Sequence, residues 1–167
     1  MKTFTLKDFD PEEPSTTGVA PEEHQLGLST IRFWDMNGLV MKSSTTKLNY
    51  DCINVCLFIF DVTEKNTFEW LRPLLEMHVL EQWTYTLLVC NKMDLVDEQT
   101  GDPDLRAVTE EEMNELCEDF GINAVIEVSA YSELRIHEAV ADSVLKSDQL
   151  KYMAPPKKKG CRLNIKR

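Results

Sequence analysis

Two uninterrupted apolar runs restrict the fold of this chain more than any other feature of its sequence. The first covers residues 55–60 (VCLFIF), and the second covers residues 87–90 (LLVC), at the end of a predicted buried strand over residues 84–90. Such runs without polar alternation are typical of strands that are buried on both faces of a parallel sheet. Because parallel strands need a crossover connection, helices are expected between them. The pattern therefore predicts an α/β fold with a mostly parallel sheet and helices on both faces.

Segments with helical periodicity follow the predicted strands. The first begins after Thr63, which is predicted to be its N-cap, and Pro73 is expected to kink this helix or to mark its start. The second begins at Thr109, where Glu112 completes a capping box, and it ends at Gly121. A third helix is predicted over residues 134–145, and further strands are predicted over residues 29–34 and 124–128.

Length and charge limit the class of protein. The 167 residues suffice for one domain, and the net charge of −11 argues against a nucleic-acid partner. Residues 151–167 differ, because they hold seven of the 18 basic residues and no acidic residue. We therefore predict one domain over residues 1–150 and a flexible basic tail over residues 151–167. The five cysteines show no C-x-x-C spacing, and three of them lie in apolar or helical patterns, which predicts buried thiols in a reducing cytosol rather than disulfides or metal sites.

Three polar clusters follow predicted strands at the point where each strand ends. They cover residues 34–38 (WDMNG), 91–94 (NKMD) and 127–130 (EVSA). Because the carboxyl ends of parallel strands meet at one edge of a sheet, where ligands bind in open α/β folds, these clusters predict a common site. The alternative is that each cluster forms an ordinary turn, which remains open for any one of them taken alone.

Five stretches carry a resemblance to a known family. They are FDPEEPSTTGV (9–19), FWDMNGL (33–39), FIFDVTEKNTF (58–68), LLVCNKMDL (87–95) and IEVSAY (126–131). In this order and spacing the chain resembles a Rab-type small GTPase of the Ras superfamily. The resemblance implies a P-loop NTPase fold, GTP or GDP with Mg²⁺ as ligands, and a role in vesicle trafficking with Rab effectors and regulators as partners.

The resemblance also assigns roles in recognition of the guanine base. A carboxylate accepts two parallel hydrogen bonds from the ring N–H and the exocyclic amine of guanine, a pair that adenine lacks, so Asp94 would select the base. Asn91 would brace the pocket, and the methylene stem of Lys92 would lie over the base. The backbone N–H of Ala130 would donate to the guanine carbonyl, and Ser129 would hold that loop in shape. Tyr131 occupies a position where the family usually has a lysine that supports the base.

Three further residues match the phosphate and metal side of the family site. Asp35 resembles the carboxylate that holds Mg²⁺ through water, and Thr16 matches the switch threonine that binds Mg²⁺. Gly38 would let a backbone N–H approach the terminal phosphate. No catalytic residue is predicted, because Leu39 stands where the family has the glutamine that orients the attacking water.

The chain also departs from the family pattern in its phosphate-binding elements. No glycine in residues 1–167 is followed by lysine, so the G-x-x-x-x-G-K-[ST] phosphate loop is absent from this sequence. The matching stretches begin near the end of the family's first helix, which predicts an incomplete fold that lacks the first strand, the phosphate loop and most of that helix. Pro21 is expected to break the strand region VAPEEHQLGL. These departures predict impaired GTP binding and hydrolysis.

The basic tail resembles the variable C-terminal region of Rab proteins. Lys157, Lys158 and Lys159 predict a weak attraction to anionic lipid, and hence a cytoplasmic protein that can be peripheral on endomembranes. Cys161 is followed by six residues, which fits neither a terminal cysteine pair nor a C-a-a-X box, so prenylation is not expected. The sequence thus leaves two hypotheses: a Rab-like nucleotide-binding protein with impaired activity, or a pseudo-GTPase that binds no nucleotide and acts only through protein interactions.

Overall fold

The computed structural model of the protein describes residues 19–26, 29–36, 53–77, 84–97, 99 and 101–153. These residues belong to two compact units, a β-hairpin and an α/β unit that begins at Ile53. The α/β class predicted from the sequence is confirmed.

The hairpin consists of two strands of equal length. Strand β1 (Val19–Leu26) pairs antiparallel with strand β2 (Ser29–Met36), in a register that runs from Val19 opposite Met36 to Leu26 opposite Ser29. Cross-strand side-chain contacts support this register, since the guanidinium of Arg32 contacts the carboxylate of Glu23. Directly opposed pairs of this kind stabilise antiparallel strands.

Pro21 does not interrupt β1. The strand runs continuously through Pro21, which lies opposite Trp34, so the prediction of a break was wrong. Proline lacks a backbone N–H but is tolerated in a strand where that group would point away from the paired neighbour. A strand of a two-stranded sheet has such an unpaired side, and β1 therefore accepts Pro21.

The α/β unit contains a three-stranded parallel sheet in the order β3–β4–β5. These strands are β3 (Val55–Asp61), β4 (Tyr85–Asn91) and β5 (Ala124–Glu127). The central strand β4 is buried along residues 85–90. This is the pattern expected of its uninterrupted apolar run, because both of its edges and both of its faces are covered.

Four helices pack on the two faces of this sheet. They are α1 (Lys65–Glu69), α2 (Leu71–Met77), α3 (Glu110–Phe120) and α4 (Ile136–Met153). One core joins Phe58, Phe60 and Leu88 to apolar residues of α1, α2 and α3, and a second core joins Leu87, Val89 and Ile126 to Ala139 of α4. Helices on both faces are therefore confirmed for this unit. Within the described residues, none of the helices has the length and apolar character needed to cross a bilayer.

The first helical segment differs in detail from its prediction. The N-cap of α1 is Glu64 rather than Thr63, and the Thr63 hydroxyl donates instead to Asp61 Oδ1 at 2.7 Å. The segment divides at Trp70, and Pro73 lies in the first turn of α2. Because backbone N–H groups of a first turn have no partner within the helix, Pro73 is tolerated there.

Helix α4 extends beyond its predicted end and reaches Met153. Residues 154–167 lie outside the described residues, so the division into a domain over residues 1–150 and a basic tail over residues 151–167 stays a prediction. The tail residues Lys157, Lys158, Lys159 and Cys161 are among those that are not described.

Cys56, Cys90 and Cys117 are free thiols. Burial raises the pKa of Cys56 to about 12. Burial and the nearby carboxylate of Glu127 raise the pKa of Cys90 to about 12. Both thiols are therefore protonated at neutral pH, and neither has the thiolate character that a reactive cysteine needs.

Helix α3 has the predicted capping box. Thr109 Oγ1 accepts from the Glu112 N–H at 3.3 Å, and a Glu112 carboxylate oxygen accepts from the Thr109 N–H at 3.0 Å. Gly121 ends the helix with a φ of 65°, in the left-handed region that glycine adopts readily.

We expect Thr109→Ala to lower the free energy of unfolding by about 1 kcal/mol, because the first turn of α3 loses its side-chain acceptor. Chemical denaturation followed by circular dichroism measures this change. Thr109→Ser retains the hydroxyl and should stay close to the wild type. An alanine variant as stable as the wild type would contradict a capping role for Thr109.

Candidate functional site

The carboxyl ends of the three parallel strands form one rim of the sheet. Asp61 ends β3 and lies opposite Asn91, which ends β4, while Cys90 lies opposite Glu127 at the end of β5. The polar residues that follow these strands are therefore brought together, as expected for a parallel sheet.

Two hydrogen bonds that involve side chains connect the turn after β4 to the turn after β5. Asn91 Oδ1 accepts from the backbone N–H of Ala130 at 3.1 Å. The hydroxyl of Ser129 donates to Asp94 Oδ1 at 2.5 Å. The structure thus joins four of the sequence-predicted site residues in a single constellation.

The backbone holds these two turns at a fixed separation. The Met93 N–H donates to the Val128 carbonyl at 3.1 Å, and the Val128 N–H donates to the Cys90 carbonyl at 2.8 Å. Residues 93–95 form a short 3₁₀ turn that carries Asp94. The position of the Asp94 carboxylate relative to Ala130 therefore follows from main-chain hydrogen bonds and does not depend on side-chain packing alone.

Ser129 organises the turn that follows β5. Its side chain is fully buried, and its Oγ also accepts from the Ser132 N–H at 3.1 Å. The Ser129 N–H donates to the Leu134 carbonyl at 3.2 Å. Glu133 and Arg135 adopt positive φ values of 59° and 57°, which are uncommon for residues other than glycine. One hydroxyl thus connects a tightly folded turn to the Asp94 carboxylate.

Lys92 also adopts a left-handed backbone conformation, with a φ of 66°. Its ammonium lies 2.5 Å from Asp61 Oδ2. The other carboxylate oxygen of Asp61 accepts from the backbone N–H of Thr63 at 2.9 Å and from its hydroxyl. Burial by itself raises the pKa of Asp61, but the hydrogen bonds from Lys92 and Thr63 outweigh it and lower the pKa below its ordinary value. Asp61 is therefore an anion at neutral pH.

The polar groups of this constellation are suited to bind a planar polar ligand. It presents a carboxylate as acceptor, a backbone N–H as donor, an amide as both, and the aliphatic stem of a lysine. A purine edge that carries two adjacent donors and a carbonyl complements this set.

The remaining predicted residues are distributed differently. Tyr131 follows Ala130 and has 69% of its side-chain area exposed. Asp35 is half-buried on β2 in the hairpin unit, opposite Ala20. Thr16 and Gly38, together with Leu39, lie outside the described residues.

Asp61 is a residue of this rim that the sequence analysis did not single out. The signal was present, because Asp61 directly follows the apolar run of β3, just as Asn91 follows that of β4.

We expect Ser129→Ala to lower the free energy of unfolding by about 1–2 kcal/mol, since Asp94 and the Ser132 N–H both lose a buried partner. Thermal and chemical unfolding measure the loss. Ser143→Ala is the matched control, because Ser143 is also buried but its hydroxyl only donates to the Ala139 carbonyl within α4. Equal stability losses in both variants would contradict a special role of Ser129 in this turn.

The architecture defines an α/β fold with polar turns at the carboxyl ends of its parallel strands, and comparison with known proteins specifies the family. The model of the Ras family matches residues 1–149, and the chain therefore belongs to the Ras family. The predicted Rab-type resemblance is confirmed by relatives of this kind. The chain is 31% identical to Ras-related protein RABA2a of Arabidopsis thaliana and 31% identical to Ras-related protein YPTC6 of Chlamydomonas reinhardtii. Each alignment covers 83% of this chain and 63% of the relative, so the chain spans less than two thirds of their length.

Proposed function

We propose that this chain is a Rab-like guanine-nucleotide-binding protein of intracellular vesicle trafficking, with impaired GTP binding and hydrolysis. The observation that carries the proposal is the constellation in which Ser129 holds Asp94 and Asn91 holds the Ala130 N–H. Family membership adds support, because the same residue types follow the corresponding strands in order.

The guanine preference follows from the donors and acceptors of this constellation. Asp94 Oδ1 accepts from Ser129, and each carboxylate oxygen has two lone pairs, so the carboxylate retains capacity for the two adjacent donors of guanine. The Ala130 N–H now donates to Asn91, and on base binding it would turn to the guanine carbonyl. Adenine presents an amine at that position, which cannot accept, and it lacks the adjacent donor pair.

The phosphate and metal side of the proposal rests on family resemblance. Asp35 and Thr16 would hold Mg²⁺, Gly38 would contact the terminal phosphate, and Tyr131 would lie beside the base. Residues 1–167 contain no G-x-x-x-x-G-K-[ST] motif, and Leu39 offers no polar group to orient water. A base site without this cradle is expected to bind nucleotides weakly and to leave GTP intact.

The proposed partners are Rab effectors and regulators, and the proposed location is the cytosolic face of endomembranes. Lys157, Lys158 and Lys159 would add a weak attraction to anionic lipid. An attraction from three lysines is weak and reversible, and a largely cytoplasmic distribution is part of the proposal.

Equilibrium titration of the full chain with fluorescent GDP and ADP analogues in Mg²⁺ tests the proposal. We expect saturable GDP binding weaker than micromolar, an affinity for GDP at least about tenfold above that for ADP, and no phosphate release from GTP above background. Equal affinity for the two nucleotides would contradict a guanine site. Micromolar or tighter binding that depends on Mg²⁺ would contradict the proposed impairment.

A second candidate function is a pseudo-GTPase that acts only as a protein-interaction module. The absence of the phosphate-loop motif from residues 1–167 favours it. In the same titration this candidate predicts no saturable signal with either nucleotide, whereas the first predicts a guanine-dependent signal.

A further inference from the structure

A second carboxylate belongs to the rim of the proposed base site. Asp61 directly precedes the turn into α1 and lies opposite Asn91 in the sheet register. It contacts Lys92, the residue between Asn91 and Met93, through a 2.5 Å ion pair. Asp61, to which the sequence motifs assigned no role, thus forms an ion pair with Lys92, which the family resemblance places over the base.

Asp61 is itself held firmly in place. Its Oδ1 accepts from both the N–H and the hydroxyl of Thr63, and its backbone N–H donates to Thr67 Oγ1 at 2.9 Å. The following residue is fixed as well, since the Val62 N–H donates to the Asn91 carbonyl at 3.1 Å. Consequently one carboxylate oxygen is engaged by the protein's own turn, while the other is directed to Lys92.

The partner of Lys92 is much more buried than Lys92 itself. The Lys92 side chain is 52% exposed, whereas that of Asp61 is 16% exposed. A lysine side chain has four rotatable carbon–carbon bonds and many rotamers, so an untethered one would leave the rim for much of the time. A fixed acceptor restricts the ammonium and thereby the methylene stem that precedes it.

The ion pair between Lys146 and Asp142 differs from this one. Lys146 pairs with Asp142 one turn away on α4, and the Asp142 side chain is 54% exposed. Such a solvent-exposed pair within one helix is weak. Asp61, in contrast, is largely buried and joins the ends of two neighbouring strands.

We propose that Asp61, anchored by Thr63, is a positioning residue that holds the Lys92 side chain in place at the base site. This inference rests on the proposed guanine-binding function and extends it by one residue. It assigns Asp61 no contact with the ligand, because its effect passes through Lys92.

The test compares Asp61→Asn with the matched control Asp142→Asn in the full chain. Each substitution removes one negative charge next to a lysine, but only Asp61 belongs to the rim. Acetylation of individual lysines by an N-hydroxysuccinimide ester, followed by peptide mass spectrometry, reports how firmly each ammonium is held. We expect Asp61→Asn to raise the labelling rate of Lys92 about two- to fivefold and to leave Lys146 unchanged, and Asp142→Asn to do the reverse.

The second measurement is affinity for the fluorescent GDP analogue. Asp61→Asn should weaken binding by a similar factor, and Asp142→Asn should not. In a Lys92→Met background, Asp61→Asn should have no further effect on GDP affinity, because the group that Asp61 positions is gone. Thr63→Val, which removes the hydroxyl that anchors Asp61, serves as the second variant and should raise Lys92 labelling in the same direction.

The outcomes separate the inference from the function on which it rests. Unchanged Lys92 labelling in both Asp61→Asn and Thr63→Val overturns the inference, and this holds even if the wild type binds no nucleotide. Raised labelling with unchanged GDP affinity also overturns it, since the tether would then have no bearing on the base. Absence of GDP binding by the wild type overturns the proposed function instead. An additive effect of Asp61→Asn in the Lys92→Met background would show that Asp61 acts through the fold rather than through Lys92.

Discussion

Leu88→Ala is expected to lower the free energy of unfolding by about 2–5 kcal/mol. Leu88 lies on the central strand β4, is fully buried, and belongs to the core that includes Phe58 and Phe60 of β3. Truncation removes apolar contacts and leaves a cavity that a three-stranded sheet between helices cannot easily close. Because small domains have only about 5–15 kcal/mol of stability, this variant should unfold well below the wild-type midpoint.

Leu145→Ala is the control for this prediction. Leu145 lies on α4 with 64% of its side chain exposed, so its truncation should change the free energy of unfolding by less than about 0.5 kcal/mol. Urea denaturation of both variants, followed by circular dichroism, measures the difference. Similar midpoints for the two would mean that Leu88 is not the centre of a packed core.

Asp94→Asn is expected to exchange guanine for xanthine as the preferred base. The substitution replaces one acceptor oxygen by an amide donor, which opposes the exocyclic amine of guanine but matches the carbonyl of xanthine. Loss of the hydrogen bond from the exocyclic amine, together with the negative charge that strengthened the bond from the ring N–H, should weaken GDP binding about 100-fold, while binding of xanthosine diphosphate rises. The remaining oxygen of the asparagine can still accept from Ser129, so the turn should be preserved.

Competition titrations with GDP and xanthosine diphosphate measure this exchange. Asp102→Asn provides the control. It removes the same charge, but Asp102 caps the 3₁₀ turn at residues 103–105 and lies outside the proposed base site. If the Asp94→Asn variant still preferred guanine to xanthine, the base would have to bind elsewhere in the protein.

The parallel sheet could be predicted from local patterns, because β3 and the end of β4 are apolar runs and helix α3 carries clear caps. Thr109 and Gly121 bound α3 in the structure as they do in the sequence. Pro21 was misjudged for the opposite reason. Its effect depends on whether its missing N–H faces a neighbouring strand, which is a property of tertiary pairing rather than of local sequence.

The candidate site could be predicted only as far as known motifs reach. Asn91, Asp94, Ser129 and Ala130 were selected by resemblance, and the structure joins them by hydrogen bonds. Asp61 was missed because its role depends on the register between β3 and β4 and on the side-chain direction of Lys92. Thr63 was assigned to the start of α1, whereas its hydroxyl is used by Asp61. Side-chain contacts between strand ends can thus be recognised only after the pairing of the strands is known.

The central claim is that the turns after β4 and β5 recognise guanine. NMR titration of the ¹⁵N-labelled full chain with guanosine and, separately, with adenosine tests it most directly, because neither ligand needs a phosphate site. The account predicts that guanosine shifts the Ala130 amide and the Asn91 side-chain amide, since the Ala130 N–H exchanges Asn91 for the guanine carbonyl. Adenosine should leave both resonances in place. An Ala130 amide that does not respond to guanosine, or responds equally to adenosine, would contradict the account.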